Sequence, residues 1–292
     1  MIILLTDTGR MPVTESRPTF KRRQLARLLR RLREQARLSI EEAAPLLHFS
    51  TAKLSRIERA VNGVDVHAVK SMLDLYGVPG DQWPEIIDMA VRARERGWRH
   101  AYGLNDKGYV SMEAEASAVY EYQLGYVPGL LQTEEYARAV IASYRLQRRS
   151  RQDVDNQIAV RMRRQARLRD NPPLELQALI DESVLHRPIG GTTLMRTQLA
   201  HLVEMSELSN VTLRVLASST SPHEGLEGSF IVLRFADPKD PDVVFIDHPA
   251  GGLHLEKEAQ VTACMLTFDH LCSRALGPAE SVALLRQVIR EL

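Results

Sequence analysis

The stretch Ser50–Ala60, STAKLSRIERA, carries side chains that could meet a nucleic acid, at a spacing that would align them. Leu54 and Ile57 lie three apart, so on a helix they set one inward direction. Ala52, Ser55, Arg56 and Arg59 then point the opposite way, with Thr51 on one flank and Lys53 on the other. Small side chains let a helix approach a groove floor closely. An arginine fork fits the O6 and N7 of guanine, or a phosphate. A solvated cationic face would have the same composition, so the neighbouring elements have to decide between the two.

Those neighbours are basic and helical. The formal net charge of the whole chain is only +1, which says nothing about a polyanionic partner. Its distribution is more informative: Arg17–Arg59 holds twelve Lys or Arg against four Asp or Glu. Leu25, Leu28, Leu29 and Leu32 follow the i, i+3, i+4, i+7 pattern and predict a helix over 19–36 whose other face is almost all arginine. Ser39 can cap a second helix, with Glu41 and Glu42 in its first turn, where the helix dipole favours anions. Pro45 removes a backbone donor inside that helix and should kink or shorten it. Ser50 caps the third helix, and VNGVD breaks it, with Gly63 as the residue able to turn left-handed. A fourth helix starts at Asp65, and a fifth, with Trp83, Ile86, Ile87 and Ala90 inward, runs to about residue 96. Two helices joined by a tight turn, the second with this outward face, fit helix-turn-helix docking.

The run LRRLREQARLSIEEAAPLLHFSTAKLSRIERAVNGVDVHAVKSMLDLYGV resembles the lambda-repressor/Cro-like (XRE-type) helix-turn-helix class over about residues 22–78. The resemblance implies that Thr51, Ala52 and Arg56 read bases, joined by Ser55 on the outward face, and that Ser39, Lys53 and Arg59 touch phosphate. It also implies a structural ion pair between Arg33 and Glu58. Two positions depart from the class: Ala60, where glycine is usual, and Pro45.

The remainder reads as α+β. Residues 1–17 are expected to be a disordered leader, 18–97 the helix-turn-helix domain, 98–112 a linker and 113–292 a second domain. Helices are expected at 113–124, 133–147 and 152–169, the last carrying Arg161, Arg163, Arg164, Arg167 and Arg169. The period then changes to two in LELQALI and VTLRVL, with short apolar runs in GSFIVLRF and DVVFI. Helices over about 193–208, 256–275 and 279–291 complete a fold with a small sheet of three or four strands.

Six blocks here, from VPGLLQTEEYARAVI to FDHLCSRALGPAESVALLR, are similar to the C-terminal domain of a large family of actinobacterial regulators. In that family a helix-turn-helix is joined to a domain of poorly known function, described as antitoxin-like and usually encoded beside a small partner protein. The resemblance implies a protein partner and no particular chemistry.

Catalysis finds little support. Ser221, His223, Asp247 and His248 sit in no nucleophile elbow and are explained as polar turn residues. The nine histidines show no H-x-x-x-H or H-E-x-x-H spacing, so neither a metal nor a cofactor is expected. Cys264 and Cys272 read as reduced core thiols of a cytoplasmic protein, and no segment qualifies as a signal peptide or membrane span. Two segments are candidates for partner or ligand contact. One is the apolar turn YVPGLLQT with Pro128, Leu130 and Leu131; the other is the strand-end loop 217–228 with His223 and Glu224. The expectation is a homodimeric regulator of a double-stranded DNA operator whose second domain binds a small protein. The competing readings are an antitoxin-like interaction protein with autoregulatory DNA binding, and a small-molecule sensor.

Overall fold

The computed structural model describes residues 20–94, 108–143, 150–220, 222–238, 240–248 and 251–292. The expected leader therefore lies outside the described residues, as does most of the expected linker. Five helices come first: α1 (Phe20–Gln35), α2 (Ile40–Leu46), α3 (Thr51–Glu58), α4 (Val66–Leu75) and α5 (Trp83–Arg94). They bury Leu25, Leu29, Leu54, Ile57, Val69, Leu73 and Ala90 in one core. Ser39, Ser50 and Asp65 each accept a hydrogen bond from the backbone N–H three residues on, so α2, α3 and α4 start where short polar side chains can satisfy an orphan donor. Pro45 lies exposed in the last turn of α2, and the helix ends one residue later, seven residues long.

Left-handed residues close the helix ends. His48, at φ 54°, turns the chain between α2 and α3, and Phe49 N–H returns to the Ala44 carbonyl at 2.8 Å. After α3 the left-handed residue is Ala60, at φ 60°, rather than Gly63 as the sequence suggested. Ala60 N–H meets the Ile57 carbonyl and Asn62 N–H meets that of Arg56, so the departure from glycine leaves the turn itself in place.

The second body contains α6 (Tyr109–Glu113), β1 (Ala118–Gln123), α7 (Glu134–Ser143), α8 (Arg151–Gln165), β2 (Glu175–Asp181), α9 (Thr192–Met205), β3 (Val211–Leu216), β4 (Phe230–Arg234), β5 (Val243–His248), β6 (Gly251–Leu255), α10 (Glu258–Arg274) and α11 (Pro278–Glu291). The sheet has six strands in the order β3-β2-β1-β4-β5-β6, not three or four. β1, β2 and β3 run parallel through the α7–α8 and α9 crossovers, while β4, β5 and β6 are antiparallel hairpin strands. The helix expected over 113–124 is instead the end of α6 followed by strand β1, and α6 begins inside the expected linker. Side chains of α7, α9 and α11 fill the core on one sheet face, and α10 covers the other. Cys264 and Cys272 are free and half-buried on α10, and burial pushes the Cys272 thiol up to about 11.

Polar side chains fasten α8 to its surroundings. Glu113, 1% exposed, receives both Nε and Nη2 of Arg164 and the Tyr109 hydroxyl. Arg161 donates to Gln132 Oε1 at 2.6 Å, and Gln132 in turn donates to the Val127 carbonyl. Gln165 and Gln198 bind the carbonyls of Gln132 and Leu131. These bonds fold the turn at 127–133 inward, so Pro128, Leu130 and Leu131 are core residues, the two leucines 1% and 0% exposed. This corrects their assignment as partner or ligand contacts: what covers them is the chain itself.

Glu121, on β1, is buried on the same face, with Gln123 as its hydrogen-bond donor. Burial pushes its carboxyl up from 4.5 to about 7, against the pull of Gln123. Between those values the folded chain holds a proton that the unfolded chain has lost, so this group lowers stability as pH rises through that window and levels off above it. Glu121→Gln is therefore expected to gain on the order of 3 kcal/mol over the parent at pH 8 and little at pH 4.5. Urea unfolding at the two pH values measures this, and equal differences at both would refute it.

Candidate nucleic-acid interface

Helix α3 buries Leu54 and Ile57 completely and turns the opposite face to solvent. Thr51, Ala52, Lys53, Arg56 and Arg59 are exposed, and Ser55 is half-buried at the margin of the stripe. All six candidates from this helix thus share one accessible surface, with the smaller side chains toward its N-terminal end. Lys53 rests its ammonium 3.6 Å from the centre of the Phe49 ring. Arg59, the C-cap residue, donates Nε to the Ser55 carbonyl at 3.2 Å. Ser39, exposed at the start of α2, belongs to a capping box: Glu42 N–H donates to its Oγ, and its own N–H donates to the Glu42 carboxylate, which is held below its usual range.

One ion pair sets how α3 is presented. Arg33 on α1 donates Nε and Nη2 to the two carboxylate oxygens of Glu58 at 2.7 and 2.8 Å, and Nη1 to the Leu38 carbonyl at 2.6 Å. Both residues are under 10% exposed. The hydrogen bonds to Glu58 push the Arg33 guanidinium above its ordinary value, against the opposing effect of burial. The bidentate geometry fixes the angle between α1 and α3 as well as their distance.

Sequence reasoning missed a second use of the basic surface. Four residues of α1 reach the other body: Lys21 pairs with Glu115 at 3.2 Å, Arg23 with Glu256 at 2.5 Å and Arg27 with Asp240 at 2.9 Å, while Gln24 donates to Asp240 at 2.7 Å. No periodicity announces these pairs, because their partners lie more than ninety residues away. In the strand-end loop, Glu224 is exposed and sits 3.4 Å from His270 of α10, and His223 is half-buried. β3 and β5 do end on one side of the sheet, yet three strands separate them. At ordinary strand spacing their loops are about 19 Å apart and do not form one site. Gly225, in the same loop, lies so close to the Tyr122 ring that a Cβ there would come within 2.7 Å of it. Among the described residues no group of three or more His, Cys, Asp or Glu is placed to hold a metal ion, and no helix is long and apolar enough to cross a membrane.

A capped α2, a left-handed turn and an α3 with one buried and one open face define a helix-turn-helix. Residues 24–85 match the family described as "Helix-turn-helix domain", which marks the chain as a DNA-binding regulator. Residues 107–287, more than half of the chain, match "Domain of unknown function (DUF5753)", and the chain belongs to that family. No curated protein and no solved structure matches the chain.

Arg33→Ala would leave the Glu58 carboxylate buried without its partner, and a loss of about 3–5 kcal/mol is expected. The double variant Arg33→Met with Glu58→Leu should recover most of that loss, since no charge is then stranded. Urea unfolding followed by tryptophan fluorescence tests both, and a single variant as stable as the parent would show the pair to be solvent-accessible.

Proposed function

We propose that this chain is a sequence-specific transcriptional regulator that reads a double-stranded DNA operator with α3. The observation that carries the proposal is the exposed stripe of Thr51, Ala52 and Arg56 backed by fully buried Leu54 and Ile57. Such a face can lie along the major groove with Arg56 toward base edges and Lys53, Arg59 and Ser39 toward the flanking phosphates. A homodimer would set two α3 helices about 34 Å apart on an inverted repeat. The binding of a small protein encoded by a neighbouring gene is supported by sequence resemblance in the second body, and the dimer by the docking geometry of helix-turn-helix proteins on inverted repeats. The proposal gives the chain no catalytic step.

Arg56→Ala is expected to relax base preference, with a loss of about 1–3 kcal/mol on the operator and much less on random duplex. Lys53→Ala should weaken binding to all sequences alike and reduce the slope of log affinity against log salt by about 1. Equal loss on operator and random DNA for Arg56→Ala would remove the base-reading role. Purification of the full chain from its host with no associated small protein would remove the partner.

A further inference from the structure

The two bodies meet through polar side chains and leave a cleft of about 430 Å³ between them, bounded by α1, the end of α3 and β6. We propose that this cleft binds a phosphate group, which takes its arginines from Glu256.

Three guanidinium groups line the cleft: Arg23 and Arg27 from α1, and Arg59 from the end of α3. Glu256 faces them from beyond β6, 2.5 Å from Arg23 and 3.9 Å from Arg27, with its side chain 37% exposed. Glu58 also lines the cleft, but both its oxygens are held by Arg33, so it does little to neutralise the other three cations. Arg59 has no ion pair with a carboxylate among the described residues; its Nε serves the Ser55 carbonyl. Asp240 holds Arg27 at 2.9 Å, so among the described residues two carboxylates, Glu256 and Asp240, face the three guanidinium groups, and the positive charge in excess is that of Arg59. Ala26, Ala60 and Leu253 supply apolar walls, which strengthen any charge-charge interaction made beside them.

Glu256 brings one charge and two oxygens to Arg23 and, at a longer distance, to Arg27, whose nearer carboxylate is Asp240. A phosphate brings up to two charges and more acceptor oxygens, and arginine forks match it in pairs. Exchange replaces one half-exposed carboxylate contact with contacts to Arg23 and Arg59, leaves Arg27 on Asp240 beside them, and frees Glu256 to return to water. The size of the cleft and its place between two bodies suit a small ligand. Because Arg59 sits at the end of α3, an occupied cleft also ties that helix to β6. Binding itself stands apart from the reading of α3 as a DNA-recognition helix, and only this last consequence rests on it. The phosphate could belong to a free solute or to the DNA backbone.

The test uses the full chain and inorganic phosphate, titrated in place of chloride at fixed ionic strength, with thermal unfolding as the readout. Phosphate stabilises folded proteins in general, so the comparison between variants carries the result. The parent should show a saturable rise in melting temperature. Arg59→Gln should weaken the apparent affinity at least tenfold, Glu256→Gln should tighten it at least threefold, and Arg56→Ala should leave it unchanged. An identical response in the parent and Arg59→Gln overturns the proposal, as does a Glu256→Gln variant that binds no tighter. Loss of operator specificity in Arg56→Ala alongside an intact phosphate response separates this site from base reading. Duplex titrations then distinguish the sources: phosphate competes with DNA in the parent but not in Arg59→Gln if the backbone occupies the cleft, and binds alongside DNA if a free solute does.

Discussion

Arg33 and Glu58 hold opposite charges sealed between the first and third helices of an otherwise apolar bundle. Isolated burial of either would be prohibitive, so each can exist there only while the other is in place. That mutual requirement fixes the rotation of α3. With Glu58 drawn inward, Arg56 lies about 160° round the helix, at close to the most outward direction available. A pair of this kind contributes little net stability, because the loss of hydration offsets most of the attraction. What it selects is one arrangement of the bundle, in which the short side chains and Arg56 face solvent together.

The second body repeats the device. Glu113 and Arg164 form a buried pair with the Tyr109 hydroxyl as a further donor, joining the short α6 to the long basic α8. Arg161 and Arg167 are directed to Gln132 and the Ala116 carbonyl. The arginine-rich composition of α8 thus serves the interior. Two of its cations, with Arg167 just beyond its end, hold the turn at 127–133 and the entry to β1 in place, and that clamping is the physical reason an apolar turn on a surface-like loop is dry. The outward face of α3, by contrast, leaves Lys53, Arg56 and Arg59 open to a polyanion.

The five-helix bundle was legible because every one of its signals is local. A cap acts three residues ahead, and an apolar stripe repeats within two turns, so both are complete in a short window. The pairing of Arg33 with Glu58 came from resemblance, and the wheel alone showed only that Glu58 leans inward. The sheet was less legible for reasons that can be named. β1, AVYEYQ, is covered on both faces, so polar and apolar residues do not alternate, and Ala, Glu and Gln favour a helix when nothing else is known. β6, GGLHL, begins with two glycines that read as a turn; it becomes a strand because β5 is already there to pair with it. Buried Glu113 and Glu121 look like surface residues until the helix above them is placed.

Local charge counting had a further blind spot, and it bears on how the two bodies communicate. The surplus of cations between Arg17 and Arg59 pointed to a polyanion, yet Lys21, Arg23 and Arg27 face Glu115, Glu256 and Asp240 of the same chain. Part of the basic surface is therefore balanced from a distance, by carboxylates placed at strand and helix ends of the second body. A docking surface made of ion pairs differs from an apolar one in its response to conditions. Its attraction is screened by salt and open to competition from other anions, whereas buried apolar area has no charge to screen and is strengthened by salts such as phosphate. The chain has two firm cores and a joint whose strength depends on which anion holds the arginines. Since α1 carries both that joint and Arg33, any shift of α1 against the second body is passed through the buried ion pair to α3. The helix that fixes the reading face through Arg33 is thus the same one that the second body holds through ion pairs.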